Sequence, residues 1–255
     1  MGFWRAIDWD RPWLQPYRED GQALCAALDA GRSVASALNG RAAIDVGAGR
    51  LEFVDMQALP ADEAYEAFIH RTGHVPTRDN LHDFFNGLVW LRFPRLKRHL
   101  NELQAAEIAR AGIGPTRGAL RDALTLFDEN AALWQAPPEL AQALRERNWQ
   151  ALFVAQRDAW RHASTVLFGH ALLEKLCSPR AAITAHAWWL PAGRGVEDEA
   201  LSWLDPQTLV SKSHLPLPVL GIPGWWAANE RADFYADRSV FRDPRPRPAR
   251  NTPAR

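Results

Sequence analysis

Cysteine, methionine and tyrosine are scarce in this chain of 255 residues, which holds two, two and three of them. Cys25 and Cys177 lie far apart, and neither belongs to a CxxC pair or a Cys/His spacing. That excludes a zinc ribbon or thioredoxin-type centre and leaves both as small core residues. Net charge is lacking as well: 30 Lys+Arg balance 30 Asp+Glu, which argues against a general nucleic-acid binder. Arg245, Arg247, Arg250 and Arg255 stand without acids after Asp243, so the rest of the chain is mildly acidic, at 26 basic against 30 acidic side chains. No apolar run reaches the length of a membrane span, and the opening MGFWRAIDWDRPWLQPY has no apolar core of the signal-peptide kind. A cytoplasmic location is the expectation. There is also no GxSxG, no HExxH, no glycine-rich phosphate loop and no internal repeat.

Large apolar side chains are plentiful. Twelve Trp and eleven Phe within a 47% hydrophobic composition call for a sizeable core, in which each buried indole N–H needs an acceptor. Helical spacing runs over Gly21 to Leu38, Ala61 to Arg71 (stopped by Gly73), Lys97 to Ala111, Glu139 to Arg147, Ala151 to Lys175 and Asp198 to Leu204. A further helix follows Thr77, with Thr77 or Asp79 as its cap and Pro94 as its end or kink. Leu51 to Val54 and Ala182 to Leu190 read as strands. Ala123 to Phe127 and Ala131 to Trp134 read as two short strands around an acidic turn, with a helix as the alternative. The pattern predicts a mainly helical α+β fold, with one domain over residues 1–243, short strands or a hairpin, and an extended aromatic C-terminal arm from about Pro216. A disordered Pro/Arg tail is expected over 244–255.

The densest polar signal lies in PTRDNLHDFFNGLVWLRFPRLKRHLN, residues 76–101, where Asp79, His82, Asp83 and Asn86 recur at three- and four-residue spacing on an apolar helix. Together with RDALTLFDEN, FGHALLEKL and PGWWAANERADFYADRSVFR, this stretch resembles a bacterial family catalogued as domain of unknown function 3025, and the resemblance spans most of the chain. It implies no activity, substrate or catalytic residue. One departure is Ala131, where the resemblance leads one to expect Gly, and a turn of positive φ there would be slightly strained.

The sharpest functional reading is a metal-dependent or acid/base hydrolase-like centre with His82, Asp83, Arg121, Asp128, His170 and Glu174 as its working residues and Glu129 as an alternative to Asp128. His82, Asp83, His170 and Glu174 are the expected ligands of a divalent ion such as zinc, manganese or iron, because imidazole and carboxylate suit all three and His170 and Glu174 share one helix face. Bound metal would make water a nucleophile. The structural alternative has His82 bonded to a backbone carbonyl, Asp79 or Asp83 capping its helix, and Arg121 holding Asp83 or Asp128. An anion pocket of Arg78, Lys97 and Arg121 is weaker for want of a phosphate loop, and Arg117 flanks the same segment. The rival from another class is a non-catalytic binding or assembly protein in which Trp225, Trp226 and the rest of the arm dock a protein partner or a second subunit.

Overall fold

In a computed structural model, residues 2–42, 44, 49–112, 118–191 and 193–243 are described. Helix α1 (Arg18–Asp29) does not run on to Leu38, because Gly31 at φ +83° ends it and α2 (Val34–Asn39) starts afresh behind the Ser33 cap. Strand β1 (Glu52–Asp55) lies parallel to β2 (His74–Thr77), and α3 (Tyr65–Thr72) stops at left-handed Gly73 as expected. Helix α4 (Leu81–Arg92) is capped by Asn80 rather than Thr77 or Asp79: the Asn80 Oδ1 accepts the Asp83 N–H at 2.7 Å. Asp79 instead accepts the Val34 N–H at 2.7 Å and so ties the start of α4 to α2. Phe93 breaks the helical path before Pro94, and α5 (Pro94–Ala111) follows.

Over Ala123 to Phe127 the helical alternative holds rather than the strand, as part of α6 (Ala119–Asn130). Ala123, Leu124 and Phe127 bury one face at three- and four-residue spacing, a period that a five-residue apolar run conceals. Ala131, at φ −73° and ψ 143°, is ordinary extended backbone, so the expected glycine-like strain is absent. It opens β3 (Ala131–Gln135), after which α7 (Pro138–Arg145) packs back. Ala151 to Lys175 is likewise not one helix. A π-type turn at Ala151–Ala155 and a 3-10 turn at Arg157–His162 lead into β4 (Ser164–Leu167), and only then comes α8 (His170–Lys175). Pairing with β3 overrides helical spacing here, since Thr165 and Val166 are β-branched and lie opposite Trp134 and Leu133. The chain continues through β5 (Thr184–Leu190), α9 (Val196–Trp203), α10 (Pro206–Val210) and β6 (Leu215–Pro218).

The sheet order is β4-β3-β5-β6, with β3 parallel to β5 and the other neighbours antiparallel. Strand alternation sends Leu133 and Trp188 to a large core shared with α1, α2, α4, α6 and α8, and Trp134, Ala187 and Leu217 to a second core on the opposite face. The protein is thus a predominantly helical α+β domain. Its aromatic C-terminal segment closes the second core: Tyr235 stacks on Phe153 at 5.1 Å and Phe241 meets Trp149 edge-on at 5.9 Å. Asn229, fully buried, donates from Nδ2 to the carbonyls of Leu220 and Ile222 and so pins the loop that carries the arm. Among the described residues no helix is long and apolar enough to cross a membrane. The expected tail and Arg117 fall outside the described residues.

Candidate functional site

Three helix ends meet beside the large core. The first turn of α4 supplies His82, the last turn of α6 supplies Asp128, and the start of α8 supplies His170 with Glu174 one turn on. Gly169 makes this meeting feasible. A Cβ on it would stand 2.5 Å from Asn130 N and Glu129 O, so any larger residue would push α8 away from the end of α6.

The polar groups form a chain. Glu174 Oε2 lies 2.9 Å from His82 Nδ1, and His82 Nε2 lies 3.0 Å from His170 Nε2. His170 Nδ1 sits 3.6 Å from Asp128 Oδ2, beyond hydrogen-bond range and with no other partner. The opposite oxygen of Asp128 accepts from Lys97 Nζ at 2.6 Å, and Lys97 also donates to Asn86 Oδ1 at 2.8 Å. Asn86 Nδ2 donates in turn to the Tyr65 hydroxyl at 3.3 Å. The two ends differ in exposure: the side chains of Glu174 and His82 are 38% and 36% exposed, those of His170, Asp128 and Lys97 only 7%, 19% and 6%. Beyond Lys97 a small cavity of about 40 Å³ is lined by Tyr65, Trp90, Lys97, Asn101, Gln104 and Asp128, among others. The Lys97 ammonium, itself buried, also lies 5.4 Å above the Trp90 ring, a cation–π contact.

Burial sets the charge states. It drives the His170 imidazole down to about 4, against the opposing pull of Asp128. Burial would lift the Asp128 carboxyl, but Lys97, followed by the two imidazoles, outweighs it and holds the group below the usual carboxylate range. Burial raises the Tyr65 phenol, which stays neutral. Cys177 is pushed up to about 12 by burial and by Glu174, so this half-buried thiol is no nucleophile at neutral pH.

Of the expected residues, the fold assembles His82, Asp128, His170 and Glu174. Asp83 goes elsewhere: successive helical residues are rotated by about 100°, and Asp83 accepts from the Arg78 backbone N–H at 2.7 Å and from the Arg78 guanidinium at 3.0 and 3.3 Å. Arg121 holds neither Asp83 nor Asp128; Arg78 and Lys97 take those roles, and the Arg121 charge acts on Glu107 instead. Arg78 and Lys97 are thus engaged by Asp83 and by Asp128 with Asn86, rather than framing one anion pocket with Arg121. Glu129 is exposed. The four expected metal ligands do not converge, and among the described residues no group of three or more His, Cys, Asp or Glu side chains is arranged to hold a metal ion.

Lys97 was legible only as a cation, and Tyr65 not at all. The available signal was a polar stripe on α5, Lys97, Asn101 and Gln104 at helical spacing, all three buried.

A helical α+β protein with an interior chain of ionisable groups is the class that this fold and site define. Residues 51–245 match the family described as protein of unknown function (DUF3025), and the chain belongs to that family. No curated protein and no solved structure matches it.

Proposed function

We propose that this protein is an acid–base enzyme of hydrolase type in which His82 and Glu174 move protons while His170, Asp128 and Lys97 hold them in place. One observation carries the reading: a partly exposed imidazole keeps a carboxylate on Nδ1 and a second imidazole on Nε2, with a largely buried ion pair 3.6 Å beyond that second ring. A carboxylate behind an imidazole selects its tautomer and fixes its orientation, which is what a proton-transfer group requires. The interior end serves as an anchor, because buried and hydrogen-bonded charges of opposite sign resist displacement. The assembly reading has less support. Trp225 and Trp226 are only partly exposed; Trp225 packs 6.1 Å from Trp13, and the Arg11 guanidinium covers Trp226 at 5.6 Å.

The test is hydrolysis of a panel of activated carboxylic esters, phosphoesters and amides by the wild-type chain and by His82→Asn. Turnover of at least one class is expected, with a loss of about a hundredfold in the variant, the lower end of the contribution of a positioned acid or base. A wild type that turns over nothing, or a folded His82→Asn as fast as wild type, ends the hydrolase reading.

A further inference from the structure

We propose that the cavity between the end of α7, the β5–β6 edge and the C-terminal arm binds a small organic anion, a ring or short apolar chain ending in a carboxylate or phosphate, gripped by Arg147 and Arg242. It shares no described residue with the His82 centre. The stop of α7 is the first sign. The Arg147 N–H donates to the Leu144 carbonyl at 3.1 Å and the Asn148 N–H to the Ala143 carbonyl at 2.9 Å, a pair of bonds whose left-handed residue is usually glycine. Arg147 takes that place at φ +53°, a region that only Lys212 shares among the described residues other than glycine. Where α1 and α3 stop, the left-handed residues are Gly31 and Gly73. An arginine that accepts backbone strain which glycine would avoid points to a task for its side chain.

Arg147 lines a cavity of about 640 Å³, within the size range of small-molecule sites. Trp149, Pro216, Pro218 and Val240 give it an apolar wall, and Arg242 joins the lining from the arm. The Arg242 carbonyl accepts from Trp149 Nε1 at 2.9 Å, and the Arg242 Nε donates to the Ser239 carbonyl at 3.1 Å. Both contacts anchor the residue and leave its terminal nitrogens for a ligand. Asp243 is the one acid among the described lining residues, and Arg238 pairs with it. The cavity thus carries two guanidinium groups and no unengaged acid, and each fork matches a carboxylate or phosphate through two parallel hydrogen bonds. A peptide strand is the wrong occupant, because β6 is an edge strand in which Pro216 and Pro218 have no N–H to offer. A compact anion with an apolar body satisfies both halves of the lining.

The experiment titrates the full chain by calorimetry with benzoate and with phenyl phosphate, and with inorganic phosphate and phenol as the separate halves of a ligand. Saturable binding of one probe molecule per chain is expected, the tighter probe identifying the anion class, and each half alone should bind more weakly. Arg147→Gly is the decisive variant, since it removes the fork and relieves the backbone. Affinity should fall roughly 10–100-fold, the counterpart of a lost charged hydrogen-bonding pair, while the melting temperature holds or rises. Arg242→Gln, on the exposed arm, should weaken binding with the fold intact, and His82→Asn should bind as wild type does. No saturable binding of either probe by the wild type overturns the proposal, as does full-strength binding by Arg147→Gly. Inorganic phosphate binding as tightly as phenyl phosphate also overturns it, because the apolar wall would then contribute nothing. Should Arg147→Gly lose binding and melt lower, its arginine serves packing, and Arg242→Gln at unchanged stability decides the question.

Discussion

Two pairs of imidazoles touch in this protein, and their surroundings are opposite in character. His82 and His170 lie between Glu174 and Asp128, each ring with a carboxylate behind it. His186 on β5 and His214 just before β6 lie closer still, 4.2 Å between centroids, but their neighbours are Trp188, 5.5 Å from His214, and the charges of Lys175 and Lys212. Burial, reinforced by His214 and Lys175, drives His186 down to about 4, and burial with Lys212 lowers His214, with no acid to resist either shift. The second pair is therefore neutral and inert near pH 7. Proximity of two histidines does not by itself make a site. What separates the pairs is the acid beside them, with Glu174 close enough to fix the hydrogen on His82 Nδ1.

Breaking the anchor of the first pair should have the largest effect. Lys97→Met leaves Asp128 buried without its cation, and removing one partner of such a pair costs about 3–5 kcal/mol. The loss would be read as a lower urea midpoint at unchanged slope, together with altered imidazole resonances of His170. A smaller loss is expected from Gly169→Ala, whose Cβ meets the backbone of Glu129 and Asn130 at 2.5 Å. Overpacking of this kind costs roughly 1–3 kcal/mol. Calorimetric melting measures that loss, and the His82–His170 contact should loosen while the His186–His214 contact stays as it is. The smallest effect sharpens the comparison from the other side. His186 takes its proton near 6.5 when unperturbed and near 4 in the fold. Between those values the unfolded chain binds more protons, so stability is full above about pH 6.5 and declines as pH falls toward 4. His186→Phe should flatten that slope in pH-dependent urea unfolding, and an unchanged slope would remove His186 as its source.

The helical bulk of the fold and half of the site were legible because they rest on local spacing. Gly73, Pro94 and the His170–Glu174 repeat each act within a turn or two of themselves. Strand β4 was not legible, because its identity comes from pairing with β3 about thirty residues earlier, and spacing alone continued the helix through it. Ala123 to Phe127 failed for the reverse reason: a short apolar run carries too few positions to separate a period of 2 from one of 3.6. In the site, the residue types were right while the pairings were open. Glu174 and His82 are 92 positions apart, and nothing local says which acid each histidine will meet. Asp83, adjacent to His82 in sequence, was captured by Arg78 through a turn that only the β2–α4 geometry creates.

Kinship and folding draw different borders on this chain. The family match begins at residue 51, yet Trp13, Leu14, Tyr17, Val34 and Leu38 before it are all buried in the large core. The Tyr17 hydroxyl donates to the Leu167 carbonyl in β4, the Val34 N–H reaches across to Asp79, and Gly87 of α4 lies so close to Leu38 that a Cβ there would overlap it. The described residues before position 51 thus supply part of the core against which α4 packs. A fragment trimmed to the shared segment would lose that part of the core, leaving α4, buried nearly all round, with a bare flank in water. The unit to express, cut or graft is the one that burial encloses, which is longer than the one that resemblance outlines.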